Sequence, residues 1–112
     1  MDVLRLQYDV EADRLKARLE GHQEGETVRV ERDKLTLWID RAHKLVVSFE
    51  VDDFRHFVSY HLLGELFGDE VIRGIAAFQS SVLETSRRSR KIDLPTPPPS
   101  GRRAVEELLR AA

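Results

Sequence analysis

Between residues 1 and 51, apolar and polar positions alternate in five short segments separated by turn residues. A period of two is that of a strand with one dry face and one wet face. Val3 to Tyr8 sets Leu4, Leu6 and Tyr8 against Arg5 and Gln7, and Arg14 to Glu20 sets Leu15, Ala17 and Leu19 against Lys16 and Arg18. Glu26 to Glu31 follows with Val28 and Val30 inward. In Lys34 to Asp40, Leu35, Leu37 and Ile39 alternate with Thr36 and Trp38. Lys44 to Val51 closes the series, with Leu45, Val47, Phe49 and Val51 on one face. Hairpin-like spacing of such segments predicts a five-stranded antiparallel β-meander. Ala12 to Glu20 also has fair helix propensity; the alternation on both sides of it decides for strand.

After Val51 the period lengthens. Phe54, Phe57, Val58, Leu62 and Leu66 recur at three- and four-residue steps behind the N-cap candidates Asp52 and Asp53, which predicts a first helix ending at Gly68. Asp69 caps a second helix, whose stripe of Val71, Ile72, Ile75, Phe78, Gln79, Val82 and Leu83 extends to about Lys91. Gly64 and Gly74 either weaken these helices or permit close packing. Leu94 to Gly101 holds Pro95, Pro97, Pro98 and Pro99 and reads as an extended spacer. Ser100 starts a short last helix with Val105, Leu108 and Leu109 on one side. A helix of that length is unstable alone and must dock on its own body, on a second copy or on another protein. The expected fold is therefore α+β: the meander, two packed helices, a proline-rich spacer and a docking helix. Residues 1–93 form the domain and 94–112 the spacer and tail.

Composition narrows the class. There is no cysteine, which excludes disulfides and thiolate metal sites and fits a reducing cytoplasm. Met1 to Arg5 lacks the pattern of a secretion signal, and no apolar run reaches bilayer length, so a membrane is not expected as a partner. Residues 1–86 carry 11 Lys/Arg and 17 Asp/Glu, a net charge of −6. Residues 87–112 carry 7 and 3, a net charge of +4. An acidic body with a basic tail favours an acidic partner or self-association.

The run Tyr8-Asp9-Val10-Glu11-Ala12-Asp13-Arg14-Leu15 resembles the opening of the bacterial family called domain of unknown function 2283. Its members begin with a tyrosine-aspartate turn, then Glu-Ala-Asp and a strand. Glu26 to Val30 and the hairpin Leu37 to Val51 sit where that family has its later strands. The resemblance covers residues 3 to 52. It implies a small β-meander and no established activity. Some members are thought to neighbour toxin-like genes, which implies an antitoxin-type role as one expectation.

Catalytic signatures are missing. Ser80 and Ser81 lie in a helical stripe without a nucleophile elbow, and the six glycines are scattered rather than gathered in a phosphate loop. His56 and His61 are five apart and share no helix face, whereas His61 and Glu65 have the i, i+4 spacing. Asp9 and Asp13 read as turn-forming carboxylates. The expectation is no enzyme, with no catalytic, cofactor or metal residue. A small enzyme built on Asp9, Asp13 and His56 is the competing idea, and it requires those three to converge.

Two surfaces remain. Trp38 on the polar side of its segment, with the tail residues Val105, Leu108 and Leu109, is the candidate docking surface. Val46 and Val3 are expected beside Trp38. Arg87, Arg88, Arg90, Lys91, Arg102 and Arg103 form the candidate nucleic-acid contact. The first helical stripe holds more large apolar residues than one small sheet face absorbs, which argues for a homodimer. The favoured reading is a cytoplasmic, non-catalytic interaction and oligomerisation module that presents its last helix to a partner. The alternative is an antitoxin-like or nucleic-acid-binding regulator acting through the basic segment.

Overall fold

A computed structural model describes residues 2–21, 26–85, 88–96 and 101–111. The fold is α+β. Strands β1 (Asp2–Asp9), β2 (Arg14–Glu20), β3 (Thr27–Arg32), β4 (Leu35–Asp40) and β5 (Leu45–Asp52) follow the alternating segments closely. A single 3-10 turn (Phe54–His56), helices α1 (His61–Phe67) and α2 (Asp69–Thr85), strand β6 (Arg90–Thr96) and helix α3 (Arg102–Ala111) complete the order.

All pairings are antiparallel, but the sheet is not a five-stranded meander. It has six strands in the order β3-β4-β5-β2-β1-β6. Only β3, β4 and β5 meander; β2 pairs with β5 rather than β3. Period-two alternation fixes which side of a strand is dry and says nothing about its neighbour. The six positions 21–26 between β2 and β3 are enough to cross three strand spacings, roughly 14 Å, at about 3.3 Å per residue.

The sixth strand is a second correction. Residues expected as the end of a helix and the start of a spacer instead pair with the free side of β1, Leu6 opposite Ile92 and Leu4 opposite Leu94. Ladder hydrogen bonds along β1 outweigh local helix propensity there. Pro95 is tolerated because β6 is an edge strand, where a missing donor can face away from the sheet. The boundary drawn after residue 93 falls inside this strand. Pro97 to Ser100 lie outside the described residues.

The predicted first helix is split. Asp52 ends β5 and pairs with Arg14 at 2.7 Å, and Asp53 is left-handed (φ 55°) without a capping bond. Phe54 and Phe57 are buried on either side of the 3-10 turn, and the chain runs non-helically to Tyr60. Gln79 of α2 holds this stretch. Its Nε2 donates to the Phe54 carbonyl at 2.8 Å and to the Phe57 carbonyl at 2.7 Å, while its Oε1 accepts from the Tyr60 hydroxyl at 2.8 Å. Gly68 ends α1 as expected (φ 90°), its N–H donating to Gly64 O.

The dry sheet face and the inner sides of the helices form one core. Tyr8, Leu37, Phe49, Phe54, Leu63 and Ile75 are fully enclosed in it. Each such side chain stabilises the fold by about 1.5–3 kcal/mol through removal from water. Helix α3 lies against α1, β3 and β5 and adds Val105 and Leu108 to this core. Of the first stripe, whose surplus suggested a dimer, Phe54, Phe57 and Leu66 are buried within the chain and Leu62 packs against its core, whereas Val58 is 83% exposed. Among the described residues, no helix is long and apolar enough to cross a membrane.

Close approach decides two glycines. A Cβ at Gly101 would stand 2.7 Å from the Glu65 carbonyl oxygen and the Leu66 backbone, so α3 can begin there only without a side chain. A Cβ at Gly74 would meet only the flexible Leu94 side chain, at 2.8 Å. Gly101→Ala should therefore destabilise the protein by about 1–3 kcal/mol and raise amide exchange throughout α3. Gly74→Ala should lie within about 1 kcal/mol of wild type, because gained helix propensity offsets a shifted leucine. Chemical denaturation of both variants checks the contrast.

Candidate functional site

Among the described residues no helix lies on the second face of the sheet, and Arg5, Gln7, Lys16 and Arg18 are exposed on it. Its polar positions fall in rows across the strands, as the register dictates. One row runs Arg29, Trp38, Ser48, Arg18, Arg5, Asp93 from β3 to β6. The next runs Glu31, Thr36, Glu50, Lys16, Gln7, Lys91. Between them the twisted sheet forms a groove of about 590 Å³, lined on its apolar side by Trp38 and Val47.

Trp38 is half-buried, and the Arg29 guanidinium sits 6.0 Å from its ring centre, within cation–π range. Val3 shares its face, but Val46 does not. A bulge between Trp38 and Ile39 pairs Ile39 with Val46 and Trp38 with Ser48. The extra residue flips the local alternation, so Val46 enters the core and Val47 lines the groove at 8% exposure. Sequence alternation alone had Val47 in the core.

Ion pairs order the β1 end of this face. Arg5 reaches Glu20 at 3.3 Å and Asp93 at 3.1 Å. The hydrogen bond to Asp93, then the charge of Glu20, holds the Arg5 guanidinium above its already high ordinary range. Lys16 and Lys91 form no ion pair among the described residues.

The remaining candidates are scattered. Val105 and Leu108, at 3% and 7% exposure, lie in the chain's own core, with Leu109 packed against it. The apolar side of α3 is thus occupied by the same molecule. Arg88 is exposed beside β6, Arg90 bonds the Ser81 hydroxyl, and Lys91 faces the groove. Arg102 and Arg103 lie on α3 opposite Glu106 and Glu107, 3.7 and 3.9 Å away. Helix α3 covers the β3–β5 side, whereas β6 is the other edge, roughly 24 Å from β3 at five strand spacings. The basic residues therefore form no single patch among those described; Arg87 lies outside them.

Asp13 and His56 do converge, joined by Asp53 rather than Asp9. Their ligand atoms lie within 4.8 Å of one another. Asp9 is spent on its own turn, its Oδ1 accepting from the Glu11 and Ala12 amides. Asp13 Oδ1 accepts from the Tyr8 hydroxyl at 2.7 Å and the Arg55 amide at 3.3 Å, and Asp53 Oδ1 meets His56 Nδ1 at 3.1 Å. These bonds account for the cluster as a clamp between the β1–β2 turn and the 3-10 turn. Three ligands, two on exposed side chains, are fewer than a structural zinc site uses. Sequence reading missed Arg5, Gln7, Lys16, Arg18 and Ser48 as groove residues. Their polar alternation is visible, but their adjacency to Trp38 depends on strand order.

No protein-family model, curated protein or solved structure matches this chain.

The Tyr8–Asp13 bond makes two predictions. Asp13→Ala should destabilise by about 2–4 kcal/mol, since it strands a fully buried hydroxyl and puts alanine at φ 50°. Asp13→Asn, which keeps an acceptor and tolerates that conformation, should recover most of the loss in a urea melt. Burial first, then the bond to Asp13, raises Tyr8 from 10.0 to about 12, and burial raises Tyr60 to about 12. Both folded values lie above the unfolded one. The stability from keeping these phenols neutral is thus whole below pH 10 and disappears as pH rises through about 12. Ultraviolet titration should show neither tyrosine ionising at 10, and ionisation accompanied by loss of near-ultraviolet circular dichroism.

Proposed function

We propose that the protein is a non-catalytic interaction module whose contact surface is the uncovered sheet face around Trp38. The inequality of the two faces carries this reading. One is sealed by the chain's own helices, including the terminal helix expected to reach outward. The other keeps a half-exposed tryptophan and a valine inside a ring of charged and hydroxyl side chains, which is the anatomy of a contact site with an apolar centre and a polar rim. Among the described residues, the titratable groups that line the groove beside Ser48 are Arg, Lys and Glu, with no imidazole. A partner protein or a second copy can occupy such a face. The reading includes a cytoplasmic location, in line with the cysteine-free sequence, and kinship of residues 3–52 with the domain of unknown function 2283.

A photo-crosslinking phenylalanine analogue placed at position 38, and in a second variant at exposed Arg73 on α2, tests the choice of face in cells. Discrete adducts from position 38 and none from position 73 are expected. Adducts arising from position 73 alone would overturn it. The mass of the adduct separates a second copy from a different partner.

A further inference from the structure

Resting on that reading, we infer that the occupant of the uncovered face is a second copy of this chain, set face to face across a two-fold axis that runs along the strands between β5 and β2. The charges of this face are balanced within the chain and call for no ligand of either sign. Arg5 is held by Glu20 and Asp93, Arg14 by Asp52, and Lys16 stands opposite Glu50. What distinguishes the face is the order of signs across the sheet. A surface packs on a copy of itself only where the two-fold brings unlike charges together.

In the order β3-β4-β5-β2-β1-β6, the line between β5 and β2 is the middle of the sheet. A two-fold along it lays β5 on β2 of the second copy, β4 on β1 and β3 on β6. Each cross-strand row is turned onto itself in reverse. Glu50 then faces Lys16 of the second copy, and Asp52 faces Arg14. At the edges Arg29 faces Asp93 and Glu31 faces Lys91. Between them Thr36 faces Gln7, and Trp38 faces Arg5, a guanidinium on an indole. Every charged pair is of opposite sign, and the symmetry makes each of them twice.

Nearby placements of the axis fail. Half a strand spacing to either side sets Glu50 against Glu50 or Lys16 against Lys16. A whole spacing sets Arg18 against Arg29 or against Arg5. An axis turned across the strands, between the two rows, sets Arg18 against Lys16. Axes still farther out overlay half the sheet or less. Aligned sheets pack about 10 Å apart with their strands within about 30° of each other. The central pairs lie roughly 2.4 Å from the axis, so such a rotation scarcely moves them. The edge pairs, roughly 12 Å out, shift by roughly 6 Å, within the reach of arginine and lysine side chains.

Sedimentation equilibrium of the full chain should give twice 12.9 kDa. Glu50→Lys sets a lysine against Lys16 of an identical copy, and Lys16→Glu sets a glutamate against Glu50. Each variant alone should therefore weaken the dimer by about tenfold or more. An equimolar mixture of the two pairs each changed residue with its opposite, so native mass spectrometry should show the mixed dimer in preference to either homodimer. Rescue on mixing has no explanation within one chain. Glu31→Lys and Lys91→Glu, exposed and on opposite edges of the sheet, repeat the design if the first pair lowers the thermal melt. A wild-type chain that stays monomeric at millimolar concentration, a dimer that the single variants keep, or a mixture that does not recover it overturns the inference. If the chain is monomeric while position 38 still crosslinks a different protein, the contact face stands and its occupant is that protein. Adducts from position 73 alone remove the face and the dimer together.

Discussion

A sheet with one apolar face must be covered, and the rest of this structure follows from how that is done. Leu4, Leu6, Leu15, Leu37, Ile39, Phe49 and Val51 all point the same way from strands that keep a period of two everywhere but at the bulge opposite Trp38. A slip of one residue in any strand would turn its apolar set to water, so cover and register enforce each other. The 3-10 turn, α1 and α2 close most of the area. Helix α3 closes the part above β3 and β5, and it can do so only because Gly101 lets the backbones of α3 and α1 approach. The terminal helix is thereby part of the core.

Covering one side fully leaves the other side to be read for function. Its central feature comes from a single irregularity. The bulge opposite Trp38 moves one valine from the core side to the groove side, giving an otherwise polar surface an apolar floor next to its only indole. Around this spot the cross-strand register sets arginine against arginine and lysine beside glutamine, and Glu20 and Asp93 anchor Arg5. The Asp13–Asp53–His56 cluster, at the β1–β2 turn and the 3-10 turn, has a different character. Asp13 holds the Tyr8 hydroxyl and the Arg55 amide, and two of its three members are exposed, so its bonds tie two turns together.

The five N-terminal strands were legible within a residue or two, because alternation is a direct signature of a half-buried strand. The α+β class and the start of α2 were legible because the period lengthens after Val51 and Asp69 precedes the second apolar stripe. Strand order was not. The residues of β2 and β3 carry the same alternation whether or not they are neighbours, and β5 takes the place that a meander would give β3. Strand β6 was hidden by its prolines and by helix-like flanking sequence, and only the unpaired side of β1 calls it into being. The split of the first helix depends on Gln79, which is one more polar residue in a stripe until its three hydrogen bonds are seen. Of the candidate site, Trp38 was found by its place on a polar face. Its companions come from five other strands and could be gathered only once the order was known.

Strand β1 has one neighbour made almost at once, through the β1–β2 turn, and another that arrives last: Asp2 pairs with Thr96. At a translation rate of about 5–20 residues per second, the second partner is synthesised roughly 5–20 s after the first strand. During that interval the nascent chain holds an open ladder edge beside fully apolar side chains, the configuration that recruits foreign strands. Until Arg90–Thr96 is made, that edge is β1; once it pairs, the edge is β6, whose Pro95 has no donor to offer a foreign strand.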